Sequence, residues 1–593
     1  MTVPSPTSVR RDIPTPFVPD QTIWCSDAIA DILRAMDMPY VLLNPGASFR
    51  GLHDSIVNHL GNDKPQMIVV LHEEHAVAIA HGYAKVTGKP LAAILHSNVG
   101  LMHGSMAIFD AWVDRVPVIV LGATGPVDAA KRRPWIDWIH TAQDQAALVR
   151  HFIKWDAQPT SIGATQEAML RAKQIATTAP QGPVYICFDA ALQESKLQTV
   201  PPLPDPSRYL APPPARPADD IIRQAAEMLS AARRPVILAG RVNRDEAGWQ
   251  QRIKLAETLN AEVLTDLKVG CAFPTDHPLH AAPSGHFLNA RAQEVLHRAD
   301  VVLSLDWLDL AGTLKQAWGN DIVTSKIIQV SVDHYSHNGW SMDHQGLPPV
   351  DVFLLSEPEA AVELLNQHVK SRPSSVPIQA PVRPKVMPLG ALTVPMLASV
   401  LRDAIGDQKT CLMRLPLSWS GDMWDFRHPL DFLGYDGGGG IGSGPGMSIG
   451  SALALKGSDR LPVAVIGDGD YMMGVNALWT AANAHIPMLM VVCNNRSFFN
   501  DEIHQERMAR QRNRPVENRW IGQRIADPEP DLASMARAQG LTAFGPIDDA
   551  EILAKLLPQA IEAVKTGATV VIDAVVQTGY GPAMTAGLTR SDD

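Results

Sequence analysis

An aspartate between two glycines and a pair of adjacent asparagines each follow an apolar stretch in the segment VIGDGDYMMGVNALWTAANAHIPMLMVVCNN. Asp468 lies between Gly467 and Gly469, and Asn495 comes 27 positions after Asp468. Carboxylate and amide oxygens are hard ligands that suit Mg²⁺ or Ca²⁺ better than Zn²⁺. The glycines let a ligand approach the backbone, and a helix N-terminus after them favours an anion. We therefore expect a metal-bound diphosphate here.

A strand–helix–strand unit must position these two side chains. Apolar runs predict strands at Leu461–Ile466 and Met488–Cys493, and the residues between them predict a helix at Val475–Ala484. Such a crossover is right-handed and makes the strands parallel, so their carboxyl ends lie at one sheet edge, where open α/β sheets bind ligands. Asp468 and Asn495 are therefore expected to converge.

This spaced pattern resembles the metal–diphosphate motif of thiamine-diphosphate (ThDP) enzymes. The similarity is strongest to benzoylformate decarboxylase and the acetolactate-synthase-like enzymes, which share ALWTAA at 477–482. The resemblance implies ThDP and Mg²⁺ (or Ca²⁺) as cofactors. It also implies that Asp468 and Asn495 provide side-chain metal ligands and that Ser497 provides a carbonyl. Asp470 would then cap the diphosphate.

A second half of such a site is expected in the first third of the chain. The segment LHEEHAVAIAHGYAKVTGKP resembles the family pattern H-E-x-x-A-x-x-x-A-x-G-Y-A, in which the glutamate donates to the pyrimidine ring nitrogen of ThDP. Counting nine residues back from Gly82 selects Glu73 rather than its neighbour Glu74. The alternative is a solvated carboxylate, because acidic residues favour the first turn of a helix.

His96 follows the next predicted strand, in ILHSNVG, and is expected at the same sheet edge as Glu73. Decarboxylases of the family carry a similar Leu-His-Ser, whose histidine moves protons to and from the substrate-derived intermediate. An imidazole titrates near neutrality, which suits this task. A purely structural histidine is the alternative, and His103 and His75 are further candidates.

A glycine tract, YDGGGGIGSGPGMSIG, precedes the metal motif. It is either a flexible low-complexity segment or a loop that approaches a ligand closely, and the apolar periodic segment after it favours the loop. The resemblance implies that Ile441 wedges under ThDP and imposes its bent shape. Leu417 and Ser418, in LPLSWSGD, are expected to line the diphosphate.

The chain's 593 residues predict three to five domains, and two proline-rich stretches at 200–217 and 372–390 divide it. Each remaining piece alternates apolar strand-like runs with helical patterns, so we predict an α/β fold of three domains, each a mostly parallel sheet covered by helices. The expected boundaries are a flexible arm at 1–20, a pyrimidine-binding domain at 21–199, a central domain at 218–371, a diphosphate-binding domain at 390–580 and a tail at 581–593.

Composition excludes several classes of function. A formal net charge of −11 argues against nucleic-acid binding and against docking on anionic membranes. No apolar run reaches transmembrane length, and the first 20 residues do not resemble a secretory signal. Five cysteines without a C-x-x-C pair favour a reducing, cytoplasmic location.

The resemblance implies a lyase that decarboxylates a 2-oxo acid without oxidation, through an enamine, with carboligation as a second outcome. The alternatives are an acetolactate-synthase-like transferase and a 2-hydroxyacyl-CoA lyase. Because the family shares its site between subunits, a homodimer is the expected minimum and a homotetramer is common. FAD is not expected, since RPVILAGRVN lacks a complete glycine-rich fingerprint.

Two positions depart from the benzoylformate-specific pattern. Ala47 stands after NPG, where the decarboxylase has a substrate-binding serine. The segment DWLDLAGTLK, after the central strand ADVVLSL, lacks the expected histidine. The substrate is therefore not expected to be benzoylformate itself.

Overall fold

Three parallel sheets, one in each third of the chain, form the framework of the protein. The computed structural model describes residues 9–16, 22–333, 346–372 and 388–579. Every strand pair within the three sheets is parallel, and helices cover the sheets. The α/β architecture expected from the sequence is confirmed.

The first sheet has six strands in the order β3-β2-β4-β5-β7-β6, and a short antiparallel pair, β1 with β8, lies beside it. The strands of the sheet and of this pair are, in chain order, β1 (Ile23–Trp24), β2 (Tyr40–Leu43), β3 (Gln66–Val69), β4 (Ala92–Ile94), β5 (Ile119–Thr124), β6 (Asp156–Ala157), β7 (Val184–Asp189) and β8 (Lys196–Leu197). Its helices are α1 (Cys25–Ala35), α2 (Arg50–Asp54), α3 (Glu73–Thr87), α4 (Ser97–Val113), α5 (Ile136–Ile139), α6 (Ile162–Thr177) and α7 (Ala190–Gln193).

The central sheet has five strands in the order β10-β9-β11-β12-β13. Its strands are β9 (Pro235–Ala239), β10 (Glu262–Leu264), β11 (Val301–Leu305), β12 (Lys326–Val330) and β13 (Val352–Leu354). Its helices are α8 (Asp219–Ala231), α9 (Glu246–Leu259), α10 (Ala290–His297), α11 (Leu310–Trp318) and α12 (Pro358–His368). Apolar side chains fill both faces of the sheet, which is typical of parallel strands covered by helices.

The third sheet has five strands in the order β14-β15-β16-β18-β17. Its strands are β14 (Thr410–Arg414), β15 (Leu461–Gly467), β16 (Met488–Asn494), β17 (Thr542–Ile547) and β18 (Thr569–Val575). Its helices are α13 (Val394–Ile405), α14 (Gly444–Leu455), α15 (Asp468–Met473), α16 (Ala477–Ala484), α17 (Phe499–Gln511), α18 (Leu532–Arg537) and α19 (Ala550–Lys565).

Helix α3 of the first sheet packs directly on helix α14 of the third, and glycines make the contact close. A methyl group on Gly82 would lie 2.0 Å from the carbonyl oxygen of Met447, and one on Gly450 would lie 1.9 Å from that of Ile79. Ser451 Oγ also donates to the Gly82 carbonyl over 3.1 Å. The first and third domains of one chain therefore meet along two helices.

The contact between α3 and α14 is made within one chain. The resemblance implies a site whose two halves come from different subunits, and this contact neither requires nor excludes a partner. The homodimer and the homotetramer therefore stay predictions. No helix in the described part of the chain is long and apolar enough to cross a membrane.

The segments expected to be an arm, a linker and a tail are described only in part. Residues 9–16 of the expected arm lie against the body, where the Arg10 amide donates to the Ala484 carbonyl over 3.2 Å and Gln66 Nε2 donates to the Arg10 carbonyl over 2.6 Å. Most of the proline-rich stretch at 372–390 and the tail at 581–593 lie outside the described residues.

Candidate functional site: a cleft between the first and third domains

The Asp468 and Asn495 side chains converge on one backbone nitrogen. The Ser497 amide lies 3.1 Å from Asp468 Oδ2 and 3.0 Å from Asn495 Oδ1, so the two oxygens lie close together. β15 and β16 are adjacent and parallel, with Gly467 opposite Cys493. The sheet therefore places the two polar groups at the same edge, as their positions after the strands predicted.

A diphosphate-bound cation fits this set of donors. Asp468 is 3% exposed, and no ion pair joins it to a cationic side chain within the described residues. Burial raises the pKa of the Asp468 carboxyl to about 6. A methyl group on Gly467 would meet nothing within 4 Å, so there is open space beside the turn. A buried carboxylate next to an amide oxygen, with room for a ligand, suits Mg²⁺.

The turn around Asp468 differs from the prediction in one respect. The Gly-Asp-Gly sequence was expected to be a bend before a helix at Val475–Ala484, but Asp468 itself begins the short helix α15, and α16 begins two residues later than predicted, at Ala477. Gly469 is required in that first turn, because a methyl group there would lie 2.6 Å from the Phe498 ring.

Asp470 holds the glycine tract in place. Its Oδ1 accepts hydrogen bonds from the amides of Gly442 (2.7 Å) and Gly444 (3.1 Å), and its Oδ2 pairs with the buried Arg414 at 3.0 Å. Arg414 also pairs with Asp436 at 2.7 Å, at the other end of the tract. The carboxylate expected to cap the diphosphate is thus engaged by the protein, and it fixes the loop that would contact the cofactor.

The other candidate cofactor contacts lie on the loops around this edge. Ile441 is partly buried and precedes Gly442, whose amide Asp470 holds. Leu417 lines a cavity of about 880 Å³ between the domains, and the Ser418 hydroxyl forms a hydrogen bond with the Cys493 thiol. No contact of Ile441 or Leu417 with a ligand follows from these positions alone.

Glu73 is the first residue of α3, the helix that packs on α14. Its side chain is 9% exposed, and its Oε2 lies 3.1 Å from His103 Nδ1. Its neighbour Glu74 approaches the glycine tract, because its Oε1 would lie 3.8 Å from a methyl group on Gly442. Burial, together with the charge of Asp470, raises the pKa of Glu74. The start of α3 therefore faces the loop that Asp470 holds.

His96 contacts a serine that the sequence did not single out. Its Nδ1 lies 2.8 Å from Ser48 Oγ, and its ring meets the His140 ring edge-on at 4.7 Å between centroids. Burial, and secondarily the charge of His140, lowers the pKa of His96. Ser48 lies one residue after Ala47, so a hydroxyl is present close to the position where the decarboxylase pattern places one.

The remaining candidate histidines have different environments. His75 is buried, and burial lowers its pKa to about 4, so it is neutral near pH 7. His72 caps α3 by accepting a hydrogen bond from the Glu74 amide at 3.2 Å. Its ring stacks on that of His103 at 5.0 Å. His72 is the histidine that begins the H-E-x-x-A pattern, whereas His140 had no recognisable spacing in the sequence.

The segment that lacks the expected central histidine has a structural role. Asp306, the first residue of DWLDLAGTLK, pairs with Arg115 at 2.9 Å, and it lines the cavity of about 880 Å³ together with Asp309. Arg115 belongs to the first domain. The segment therefore helps to join the first and central domains.

Comparison with known families identifies the family to which the chain belongs. The family models named "Thiamine pyrophosphate enzyme, N-terminal TPP binding domain", "central domain" and "C-terminal TPP binding domain" match residues 23–148, 222–346 and 416–574. The chain belongs to the thiamine pyrophosphate enzyme family. The N-terminal model includes Glu73, and the C-terminal model includes Asp468 and Asn495.

Relatives of this thiamine pyrophosphate enzyme include both decarboxylases and synthases. The protein named "Probable 2-ketoarginine decarboxylase AruI" of Pseudomonas aeruginosa is 26% identical, over 90% of this chain and 91% of the relative. Benzoylformate decarboxylase of the same species is 24% identical, over 79% and 85%. Chloroplastic acetolactate synthase of Arabidopsis thaliana is 21% identical, over 84% and 74%.

Solved structures share the fold over nearly the whole chain. Benzoylformate decarboxylase from Polynucleobacter necessarius has a TM-score of 0.77 at 20% identity, covering 94% of this chain and 99% of that one. The 4-hydroxybenzoylformate decarboxylase of Rhodococcus jostii RHA1 has a TM-score of 0.73 at 21% identity, covering 94% and 100%.

Proposed function

We propose that this protein is a ThDP- and Mg²⁺-dependent lyase that cleaves a carbon–carbon bond, by non-oxidative decarboxylation of a 2-oxo acid. The observation that carries the proposal is that the start of α3 lies beside the glycine tract that Asp470 holds, since Glu74 Oε1 would lie 3.8 Å from a methyl group on Gly442. Glu73 begins α3, α3 packs on α14, and the Asp468 and Asn495 oxygens converge at the edge of the adjoining sheet. A carboxyl group and a metal–diphosphate cradle are the two things that ThDP requires of a protein.

The third domain would hold the cofactor through its diphosphate. Asp468, Asn495 and the Ser497 carbonyl would bind Mg²⁺, and Gly467 and Gly469 leave the backbone accessible beside them. Mg²⁺ usually takes only one or two protein carboxylates and completes its shell with phosphate and water. Asp470 acts indirectly, by holding the glycine tract that carries Ile441.

When bound, ThDP supplies a ring that stores the electron pair left behind as carbon dioxide departs. The protein's own groups handle the protons. Glu73 would offer a buried carboxyl group for proton exchange with the cofactor ring. His96 moves a proton to or from the substrate, and Ser48 orients its ring through Nδ1.

Two alternatives use the same cofactor. Relatives named acetolactate synthase favour a transferase that joins two 2-oxo acids, and a 2-hydroxyacyl-CoA lyase would run carbon–carbon cleavage without loss of carbon dioxide. The neutral, imidazole-rich pocket around His96 favours proton transfer to an aldehyde-forming intermediate. Decarboxylation is therefore the first choice, and carboligation is its side reaction.

The test supplies the purified protein with ThDP and Mg²⁺ and screens 2-oxo acids, including 2-ketoarginine and benzoylformate, and 2-hydroxyacyl thioesters. Release of carbon dioxide and an aldehyde from an oxo acid is the expected result. An acyloin-type acid from paired oxo acids would support the transferase, and aldehyde from thioesters alone would support the CoA lyase. Absence of all three products with bound ThDP would overturn the proposal.

Two variants with matched controls sharpen this test. E73Q should bind ThDP normally yet lose at least about 100-fold in rate, because a general acid–base group contributes about 10²–10⁴-fold, whereas E74Q should retain most of the activity. D468N should lose Mg²⁺-dependent ThDP binding, and D501N, which changes an exposed acid on α17, should not. EDTA should release the cofactor from the unsubstituted protein.

The wider expectations are part of the same proposal. We propose a cytoplasmic homodimer at minimum, assembling to a homotetramer, without bound FAD. Light scattering coupled to gel filtration measures the assembly. A flavin absorbance band in the purified protein would contradict the expectation about FAD.

A further inference from the structure

Helix α4 crosses the start of α3 closely enough to place a histidine on the Glu73 carboxyl. Gly100, His103 and Gly104 share one face of α4, because residues three and four apart lie above one another on a helix. A methyl group on Gly100 would lie 3.0 Å from Glu73 Cγ and 3.1 Å from Oε1. The glycines allow the approach, and His103 Nδ1 then lies 3.1 Å from Glu73 Oε2.

His103 connects a buried acid to water. The Glu73 side chain is 9% exposed, whereas the His103 side chain is 53% exposed. An ionised carboxylate only accepts hydrogen bonds, so His103 Nδ1 carries the hydrogen in this contact. The second ring nitrogen is then free to exchange a proton elsewhere.

The His103 ring is fixed by a neighbour that is itself anchored. His72 stacks on it at 5.0 Å with an interplanar angle of 20°. His72 in turn caps α3 by accepting from the Glu74 amide at 3.2 Å, so its own ring is held by the helix backbone. The orientation of His103 toward Glu73 is therefore built into the start of α3.

We propose that His103 is a positioning residue that relays protons between solvent and Glu73. In one direction, the Nδ1–H bond breaks and the proton passes to Glu73 Oε2, while a solvent proton binds Nε2. The imidazole remains neutral, and the net transfer is one proton from water to the carboxylate. In the other direction the same steps run in reverse. The inference rests on the proposed role of Glu73 in activating ThDP.

Other titratable groups face this pair. His72 stacks on His103, Glu74 follows Glu73 on α3, and the charges of Glu73 and His96 influence each other across the cleft. His72, Glu73 and His103 also place ligand atoms within 4.8 Å of one another, the arrangement of a metal site. His72 Nδ1 already caps α3, which leaves this site short of a free ligand and favours the relay.

The relay is tested by the exchange of the ThDP C2 proton for deuterium, followed by acid quench and NMR, without substrate. The protein is first freed of transition metals and then loaded with ThDP and Mg²⁺. H103A and H103N should both slow exchange about 100-fold, the lower end of the range for a proton-transfer group, with ThDP affinity unchanged within about twofold. Free imidazole should restore exchange in H103A. H59N, an exposed histidine of the same domain, is the control.

Three results would overturn the relay. H103N could exchange like the unsubstituted protein while H103A is slow, which would reduce His103 to a hydrogen-bond donor. Both variants could exchange the C2 proton at the normal rate. Alternatively, both could lose ThDP affinity by the same factor as the exchange rate. Normal exchange in E73Q would instead overturn the proposed function and the relay with it, which distinguishes the two failures.

Discussion

Ser48 Oγ lies 2.8 Å from His96 Nδ1, and this hydrogen bond fixes the orientation of the imidazole at the candidate site. Ser48 follows β2 and His96 follows β4, which is hydrogen-bonded to β2 in the first sheet. The close fit also requires glycine nearby, because a methyl group on Gly46 would lie 2.2 Å from His96 Cγ. A serine one position later than the family pattern thus contacts the residue that we propose transfers protons.

The S48A substitution is expected to lower kcat with little change in ThDP affinity. It removes a hydrogen bond of about 0.5–1.5 kcal/mol, which corresponds to roughly three- to tenfold in rate if the bond orients His96 for proton transfer. Steady-state kinetics and a ThDP titration measure the two quantities. S105A is the control, because the Ser105 hydroxyl on α4 donates to the Met102 carbonyl in its own helix. An unchanged kcat would contradict the role given to Ser48.

The pH dependence of activity should report the environment of His96. Burial, with a smaller contribution from His140, lowers the pKa of His96, so the neutral imidazole persists to a pH below its usual titration range. If activity requires neutral His96, kcat/KM should decline only at a pH below the ordinary pKa range of histidine. H140N removes a like charge, so the pKa of His96 rises and the acid limb moves to higher pH. H59N should leave the profile in place.

The expected direction follows from the sign of the charge interaction. A neighbouring imidazolium disfavours a second one, so its removal makes protonation of His96 easier. Movement of the acid limb to lower pH in H140N would contradict the assignment. A profile that does not move would mean that another group sets the limb.

The contact between α3 and α14 should tolerate no side chain at Gly450. A methyl group there would lie 1.9 Å from the Ile79 carbonyl oxygen, and a backbone atom cannot move aside cheaply. G450A should cost about 1–3 kcal/mol, the range for overpacking, and should weaken ThDP binding because it separates the half-sites. Urea unfolding and a fluorescence titration measure both effects.

The matched control for that substitution lies on α6. A methyl group on Gly163 would meet nothing within 4 Å, and this residue lies in the first turn of a helix. G163A should therefore be neutral or stabilise the protein by up to about 1 kcal/mol, since alanine favours helices. Equal losses in G163A and G450A would remove the argument from close packing.

The sequence predicted the framework well because apolar runs mark buried strands. β15 and β16 begin where those runs predicted them, and parallel topology alone predicted that Asp468 and Asn495 would meet. Contacts between distant segments left no such signal. Arg414 and Asp470 are 56 residues apart in the sequence, and Ser48 and His96 follow two different strands. Neither pair therefore forms a motif with a recognisable spacing. Helix α15 was missed because Gly-Asp-Gly is more typical of turns.

Mixing two inactive variants would show which chains share the cleft. E73Q lacks the first half-site and D468N lacks the second, and the two are unfolded together, refolded and assayed. In the structure, α3 packs on α14 of the same chain. If this contact forms the site, every site in the mixture carries either the E73Q or the D468N change, and no activity returns. If the contact is made between subunits, as the family resemblance implies, mixed dimers contain one intact cleft and activity returns. A refolded unsubstituted sample fixes the full recovery. Circular dichroism of each refolded variant checks that it keeps the fold. The recovered activity then reports which copy of α3 meets α14, and it decides whether the first and third domains of one chain are sufficient to build the site.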